Sequence, residues 1–421
     1  MRHLGAIGFL LFWMLAASGI YLYLRFDTSA TGAYGSIGEL EWWFGGVLRS
    51  VHRYSADAFV IVALLHLLRE TWLGRWRGFR AFSWISGVPL LWLLYASGLI
   101  GYWLVWDTRS QFSFLATMEW MGVAARVGEA PDRLFSLFVF LHIGLPLALL
   151  AGMWVHVQRL GQPKTSPPRG IAFAFAGMFL GLAALRPAAS EPQWDPMRAA
   201  RNVAVDWFYQ FIHPLMYATS PALLWVLVVG ASALLLVLPY LSKQRLVPAR
   251  VDPANCNGCG RCVADCPYNA IQLQKKAVVL SERCAACGIC AGACPSSTPF
   301  RSIREIVSGI EIPDLPIHEL REKLRATMAM PASEVVFCCE KNPRPGAIAL
   351  RCLAMLPPAF VEYALRNGVQ RVTAVGCEDE CAYRLGMGLC DERFAGRREP
   401  HLRATVRFQR NKNEYRFVLH H

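Results

Sequence analysis

The 421-residue sequence predicts an all-α polytopic membrane bundle of about six transmembrane helices. Two small domains follow it, one α+β and one α/β. Three observations predict this. Long apolar runs crowd into residues 1–242 of a chain that is 54% hydrophobic, with mean hydropathy +0.31, too apolar for an ordinary soluble protein. Four histidines fall in that apolar half as two equally spaced pairs, His52 with His66 and His142 with His156, 14 positions apart in each. All 14 cysteines lie between Cys256 and Cys390, eight of them in the runs CNGCGRCVADCP and CAACGICAGACP.

Hydropathy places the spans at roughly 4–25, 46–68, 83–105, 134–158, 170–186 and 222–241, the fifth being short. The first begins after Arg2 like a signal peptide, but its apolar run continues through ASGIYLYLRF without a cleavage site, so an uncleaved anchor is expected. Basic residues set the orientation. Arg69, Arg75, Arg77 and Arg80 join the second and third spans, Arg159, Lys164 and Arg169 the fourth and fifth, and Lys243, Arg245 and Arg250 follow the sixth. The 106–133 loop instead mixes Asp107, Arg109, Glu119, Arg126, Glu129, Asp132 and Arg133. The N-terminus and the C-terminal half are therefore expected on the cytoplasmic side of a prokaryotic inner membrane. Thiolate sites in the C-terminal half suit the same reducing compartment. The net charge of +13 does not read as nucleic-acid binding, because it traces to arginines flanking spans and to the solvated stretch RFQRNKNEYRF.

Fourteen positions on a helix are close to four turns, about 21 Å. Each histidine pair thus lies on one helix face, with one imidazole near each side of a bilayer. Two such helices facing each other would hold two stacked haems, each with two histidine ligands. The bundle has no cysteine and the chain no CxxCH, so the haems would be of b type, without thioether bonds. A lone histidine in a span is more often a hydrogen-bonded structural residue, but two pairs at one spacing count against that. A metal site without haem would need ligands converging at one depth. Gly5 and Gly19, and Gly87 and Gly101, repeat the same 14-residue interval. A glycine lets a flat macrocycle approach the backbone, although small residues also serve plain helix packing in membranes.

The segments VHRYSADAFVIVALLHLLRE, GLIGYWLVWD and RLFSLFVFLHIGLPLALLAGMWVH make residues 1–162 resemble the cytochrome b of bc-type quinol oxidoreductases. The resemblance implies a four-helix core with haems between the second and fourth spans. His52 and His142 would then hold the haem near the outer face, and His66 and His156 the haem near the cytoplasmic face. It also implies a homodimer within a larger complex. It continues more weakly through 163–245. There Asp206, Trp207, Phe208 and Tyr209, in VAVDWFYQFIHP, stand where the family carries Pro-Glu-Trp-Tyr at its outer quinol site. Val205 replaces the proline and Asp206 the glutamate. A carboxylate there could exchange a proton with a quinone; the alternative is an interfacial aromatic anchor. His213 and Asp57 are further candidates for proton handling.

Residues 246–305 carry Cx2Cx2Cx3CP twice and resemble bacterial two-cluster ferredoxins. In that arrangement the fourth cysteine of each run serves the other cluster. One [4Fe–4S] cluster is expected on Cys256, Cys259, Cys262 and Cys294, and a second on Cys284, Cys287, Cys290 and Cys266. Zinc is the competing occupant of CxxC pairs, and this doubled pattern disfavours it. Residues 306–330 read as a polar helical linker. In 331–421, EVVFCCE and QRVTAVGCE read as strands around a helix at PPAFVEYALRNG. The pattern FCCE…RC…VGCEDEC resembles the delta subunit of methyl-viologen-reducing hydrogenase, and implies a [2Fe–2S] cluster on Cys339, Cys352, Cys377 and Cys381. Cys338 could replace Cys339, and Cys390 is unassigned. Some of these cysteines could instead be buried small apolar residues.

The expectation is a membrane electron wire within a quinone oxidoreductase complex. A cytoplasmic flavoprotein or dehydrogenase subunit would dock on 331–421, and the outer end would meet the quinone pool. No GxGxxG stands after a strand, so the substrate-oxidising site belongs on another chain. Either direction of flow fits; bifurcation would need a high-potential acceptor that the sequence does not encode. The alternatives are a membrane-anchored redox sensor or assembly scaffold, and transmembrane electron transfer without quinone.

Overall fold

The computed structural model describes residues 3–40, 42–123, 131–193, 195, 203, 205–241, 246–301, 307–329, 334–377 and 381–419. Arg2, Arg126, Glu129, Lys243 and Arg245 of the charge pattern lie outside the described residues. The chain divides into two compact units, one of residues 1–77, 81–157 and 163–242, the other of 78–80, 158–162 and 243–421.

The helices of the first unit are α1 Leu4–Arg25, α2 Ala33–Gly38, α3 Val47–Trp72, α4 Ala81–Trp103, α5 Thr108–Trp120, α6 Pro131–Val157, α7 Arg169–Leu185, α8 Ile212–Ala218 and α9 Pro221–Val237. Polar residues start two of them. Asp107 caps α5 by accepting the Ser110 N–H, and Ser220 caps α9 by accepting that of Leu223, ahead of Pro221. Helix α1 packs on α3, α4 on α6, and α7 on α3. The core between them holds Leu11, Phe59, Phe114, Phe135, Phe138 and Phe179. The opposite faces expose Trp13, Phe140, Val226 and Leu234, which water would penalise and lipid accepts.

Among the described residues, five helices are long and apolar enough to cross a membrane: Leu4–Arg25, Trp43–Trp72, Gly78–Trp103, Asp132–Val157 and Pro221–Leu241. About six spans are expected, and a shorter apolar helix stands at the remaining one. The fifth predicted span is the 17-residue α7. At about 1.5 Å per residue it is about 25 Å long, at the lower end of the range for a span.

The strands of the second unit are β1 Arg250–Val251, β2 Ile271–Leu273, β3 Ala277–Val279, β4 Ile310–Glu311, β5 Glu334–Cys339, β6 Ile348–Leu350, β7 Arg371–Val375, β8 Val406–Asn411 and β9 Glu414–Leu419. Its helices are α10 Arg261–Ala264, α11 Ile289–Ala293, α12 Ile317–Ala329, α13 Pro358–Arg366 and α14 Gly386–Phe394. Strands β1 and β4 pair antiparallel, as do β2 and β3. The five-stranded sheet runs β6-β5-β7-β9-β8, with β5 parallel to both β6 and β7, and β9 antiparallel to both β7 and β8. Val335 and Phe337 of β5 alternate inward as the two-residue strand period requires.

Of the linker predicted at 306–330, the described residues 307–329 are folded. Ile310 and Glu311 form the strand partner of β1, and Ile317, Leu320 and Leu324 of α12 are buried. One apolar core runs from Cys287 and Ile289 through Leu353 and Met355 to Phe417, so the two cysteine-bearing segments fold as a single body. The membrane-helix connectors within this unit clasp the segment after Cys266. The Gly161 N–H donates to Pro267 O at 2.9 Å, Asn269 Nδ2 donates to Gln158 O and Leu160 O at 3.1 and 3.2 Å, and Phe79 packs on Tyr268 at 4.5 Å.

Candidate functional site

Each of the four paired histidines, all in the first unit, faces one of the four glycines. A Cβ built on Gly101 would lie 2.8 Å from His142 Cε1, on Gly19 3.1 Å from His52 Cε1, on Gly87 3.2 Å from His156 Cε1, and on Gly5 4.0 Å from His66 Cε1. Helix α1 thus offers its glycines to the histidines of α3, and α4 offers its own to those of α6. The His52 and His142 rings face each other with centroids 6.3 Å apart. Two imidazoles on one iron, with metal–nitrogen bonds of about 2 Å, place their centroids at nearly that separation. The donor set and the spaces beside it fit two bis-histidine haems.

Three of the rings are also held from behind. His52 Nδ1 lies 2.9 Å from Ser18 Oγ, His156 Nδ1 3.1 Å from Ser86 Oγ, and His142 Nδ1 3.0 Å from Ser97 O. Ser18 Oγ donates to Met14 O at 2.7 Å, which leaves it free to accept from His52. A ring that donates through Nδ1 presents an Nε2 lone pair to a metal. The 14-residue spacing does not single out these serines, though Ser18 and Ser86 each stand immediately before one of the glycines.

Asp206 sits at the centre of a polar knot. Its Oδ2 accepts from Arg53 Nη2 at 2.6 Å and from the Tyr102 hydroxyl at 2.7 Å. Its Oδ1 accepts the N–H groups of Phe208 and Tyr209 at 2.9 and 2.6 Å. Four donors fill the four acceptor positions of a carboxylate. Arg53 also pairs with Asp57, one helical turn on. Trp207 is exposed, and Phe208 joins the knot through its N–H alone. Tyr209 is buried, its ring close against α4 where a side chain on Gly98 would collide with it.

Beside the knot, a cavity of about 590 Å³ opens between α4, α5 and α9. Its wall includes Tyr95, Trp103, Thr117, Trp120 and Trp225, and none of Asp206 to Tyr209. The Tyr95 hydroxyl donates to Tyr209 O at 2.8 Å, so the loop braces the wall instead of forming it. The indole N–H groups of Trp103 and Trp120 are buried with no hydrogen-bond partner among the described residues. Thr117 Oγ1 lies 2.9 Å from His213 Nε2. A cavity of this size walled by apolar and aromatic side chains suits an apolar ring.

In the second unit the two CxxCxxC runs share a backbone path. Gly258 and Gly260 in the first, and Ala286 and Gly288 in the second, all take positive φ between 49° and 74°. The chain curls each time so that its three cysteines turn inward. Burial pushes the Cys262 thiol up to about 12, with Cys259, Cys294 and Cys256 adding to it. Burial likewise holds Cys290 well above its ordinary value, with Cys287, Cys284 and Cys266 the next contributors. Each group therefore gathers three cysteines of one run and the last cysteine of the other. Backbone N–H groups of Ala249 and Ala270 donate to Cys284 Sγ and Cys266 Sγ at 3.4 and 3.3 Å.

The C-terminal cysteines converge at the ends of β5 and β7. Cys339 Sγ lies 3.5 Å from Cys377 Sγ, and this hydrogen bond brings the Cys339 thiol down to about 7 against the effect of burial. The Cys352 thiol is pushed up by its hydrogen bond with Cys381, then by burial and by the neighbouring Cys381, Cys390 and Cys287 sulfurs. A side chain on Gly386 would strike both Cys352 Sγ and Cys381 Sγ. Among the described residues no group of three or more His, Cys, Asp or Glu side chains is arranged to hold a single metal ion. A polynuclear cluster spreads its thiolates wider than one ion does, and the cysteine groups fit that use.

Family models match three stretches of the chain: cytochrome b/b6/petB over residues 1–130, a 4Fe–4S dicluster domain over 255–298, and the delta subunit of methyl-viologen-reducing hydrogenase over 335–410. A cytochrome b6 of Prochlorococcus marinus (strain MIT 9211) is 32% identical over 185 residues, 39% of this chain and 82% of that protein. A cytochrome bc complex cytochrome b subunit of Chlorobaculum thiosulfatiphilum is 29% identical over 197 residues, 42% of this chain and 44% of that one. This chain thus spans less than half the length of the Chlorobaculum relative. A chain of a hyperthermophilic respiratory Complex III aligns over 58% of this chain and 76% of its own length, with TM-score 0.48 and 20% identity.

Proposed function

The chain belongs to the cytochrome b/b6 family, and from that premise we propose that it is the membrane subunit of a quinone oxidoreductase complex. In this reading it exchanges electrons between the quinone pool and a cytoplasmic flavoprotein or dehydrogenase subunit. That it is a multi-pass membrane electron-transfer protein with iron–sulfur domains follows from the matches to its three parts and its five long apolar helices. The observation that carries the finer reading is the glycine–histidine ladder, four imidazoles each faced by a residue without a side chain.

When bound, b haems and iron–sulfur clusters supply one-electron transfer, and a quinone links it to protons. The chain's own residues do the rest. Ser18, Ser86 and the Ser97 carbonyl orient His52, His156 and His142. Trp103 and Trp120 wall the cavity that would take the quinone ring. Thr117, on the wall, donates to Ser113 O, accepts from His213 Nε2, and so holds that ring in place. Asp206 positions the loop that braces Tyr95, because every acceptor position of its carboxylate is occupied. Cys256, Cys259, Cys262 and Cys294 hold one [4Fe–4S] cluster, Cys284, Cys287, Cys290 and Cys266 the other, and Cys339, Cys352, Cys377 and Cys381 the [2Fe–2S] cluster.

The test is a redox titration of the purified protein with optical detection, followed by addition of quinol. Two b-type transitions that quinol reduces support the reading. Haems that reduce with dithionite and ignore quinol overturn its quinone part. Trp120→Phe is expected to weaken quinol binding at unchanged haem content. Asp206→Asn is expected to lower stability along with activity, by less than the roughly 3–5 kcal/mol of a fully broken buried ion pair, because Asp57 still faces Arg53.

A further inference from the structure

The two cysteine groups of the dicluster segment are not equivalent in their surroundings. Cys256, Cys262 and Cys294 lie in a small core that they share with Cys266, Cys284 and Cys290, and Cys259 is exposed. The group at Cys284, Cys287, Cys290 and Cys266 adjoins the C-terminal cysteines. Cys287, Cys352 and Cys390 are buried in one continuous core, with Tyr383 packed against it. A Cβ on Gly288, next to Cys287, would lie 2.6 Å from Met355 Sδ, and one on Gly292 would strike Ala354 O. The segment that follows Cys352 therefore lies directly against the helix that carries Cys290.

A buried ion pair pins this junction. The side chains of Arg393 and Asp265 are 1% and 2% exposed, and they bond to each other. Asp265 is the residue before Cys266, and Arg393 lies on α14, one turn after Cys390. Arg393 Nη1 also donates to Ala354 O at 2.7 Å and Nη2 to Ile289 O at 3.4 Å, and Arg398 Nε donates to Asp265 Oδ1 at 2.7 Å. One guanidinium thus ties together the backbone beside Cys266, Cys290 and Cys352. Removing two charges from water is costly and seldom repaid as stability, so a pair placed here points to geometry as its use.

We propose that the Cys266/Cys284/Cys287/Cys290 centre is the junction of the soluble relay, exchanging electrons directly with the Cys339–Cys381 centre, and that Asp265 and Arg393 are the positioning residues that hold the two together. The Cys256/Cys259/Cys262/Cys294 centre is then a terminal branch with an exposed edge. The proposal rests on the reading that all three groups carry iron–sulfur clusters. The step moves one electron: one centre passes from its reduced to its oxidised form as its neighbour does the reverse, with no bond made or broken.

The test uses the full-length, cluster-loaded protein, with iron and sulfide counted per chain and paramagnetic resonance spectra recorded on full reduction. In the parent protein the signal of the C-terminal centre should be broadened by a paramagnetic neighbour. Cys259→Ala, at an exposed position, should lower the iron count and leave that broadening intact. The double change Asp265→Asn with Arg393→Gln, which leaves no lone buried charge, should keep the full iron count and reduce or abolish the broadening. Arg393→Lys should restore part of it. Broadening that vanishes in Cys259→Ala, or persists unchanged in the double variant at full iron count, overturns the proposal and leaves the cluster reading standing. A parent protein without iron and sulfide overturns both.

Discussion

The histidine half and the cysteine half bring distant ligands together by opposite means. In the first unit the ligands of one candidate haem come from two helices, ninety positions apart for His52 and His142, and each helix contributes a ring to both levels. The helix period does the arranging, and the local requirement is the absence of a side chain opposite each ring. In the second unit three ligands of each [4Fe–4S] group lie within seven residues. Tight turns at positive φ arrange them, and only the fourth comes from elsewhere. Rigid helices can place ligands accurately over a long span, but any added bulk between them has nowhere to go. A short loop carries its geometry with it and depends on its own backbone.

Losing a ligand should break the comparison most visibly. His142→Ala is expected to remove one of two b-type transitions and leave the other, because the two levels share helices and no ligand. Counting haem per chain by pyridine spectra checks it. Next comes bulk opposite a ring. Gly101→Val should displace His142 and lose the same haem, whereas Gly5→Ala, whose Cβ would meet His66 Cε1 at an ordinary contact distance of 4.0 Å, should retain full haem. Equal haem content in the two variants would deny that the glycines serve the rings. In the cysteine half the matching probe is Gly386→Ala, which pushes a methyl group into Cys352 and Cys381. It should cost about 1–3 kcal/mol of unfolding free energy together with the C-terminal iron signal. Gly388→Ala, two residues on and with open space around it, should cost neither. The smallest effect should follow Ser18→Ala, which removes the partner of His52 Nδ1. Haem retention at that level should weaken roughly tenfold to a hundredfold, with its midpoint potential shifted, while the His66–His156 level stays unchanged.

Much of the site could be read from spacing. A 14-residue interval and a doubled Cx2Cx2Cx3C are local facts, and covalent geometry converts them into shared helix faces and inward-turned sulfurs whatever the rest of the chain does. The residues that spacing missed act over long separations. Ser18 meets His52 across 34 positions, Arg53 meets Asp206 across 153, and Asp265 meets Arg393 across 128. The loop at Asp206 was legible as important, but its role was not. The sequence suggests a carboxylate facing a quinone, and the structure presents one saturated by Arg53, Tyr102 and two backbone donors, with the cavity walled by α4, α5 and α9.

By itself, then, the sequence determined the classes of element and the ligand types: apolar helices long enough to span, histidines in register along them, cysteines in runs, and the three-part order of the chain. These depend on period and composition, which are properties of neighbours along the backbone. Only the tertiary structure decided that 307–329 is folded in with β1 and the core, that Asp206 is held instead of free, and which cysteine group lies against the C-terminal centre. Each of these depends on which surfaces meet and which polar groups lose their water there. That is settled by packing among segments that are remote in sequence and close only in the folded chain.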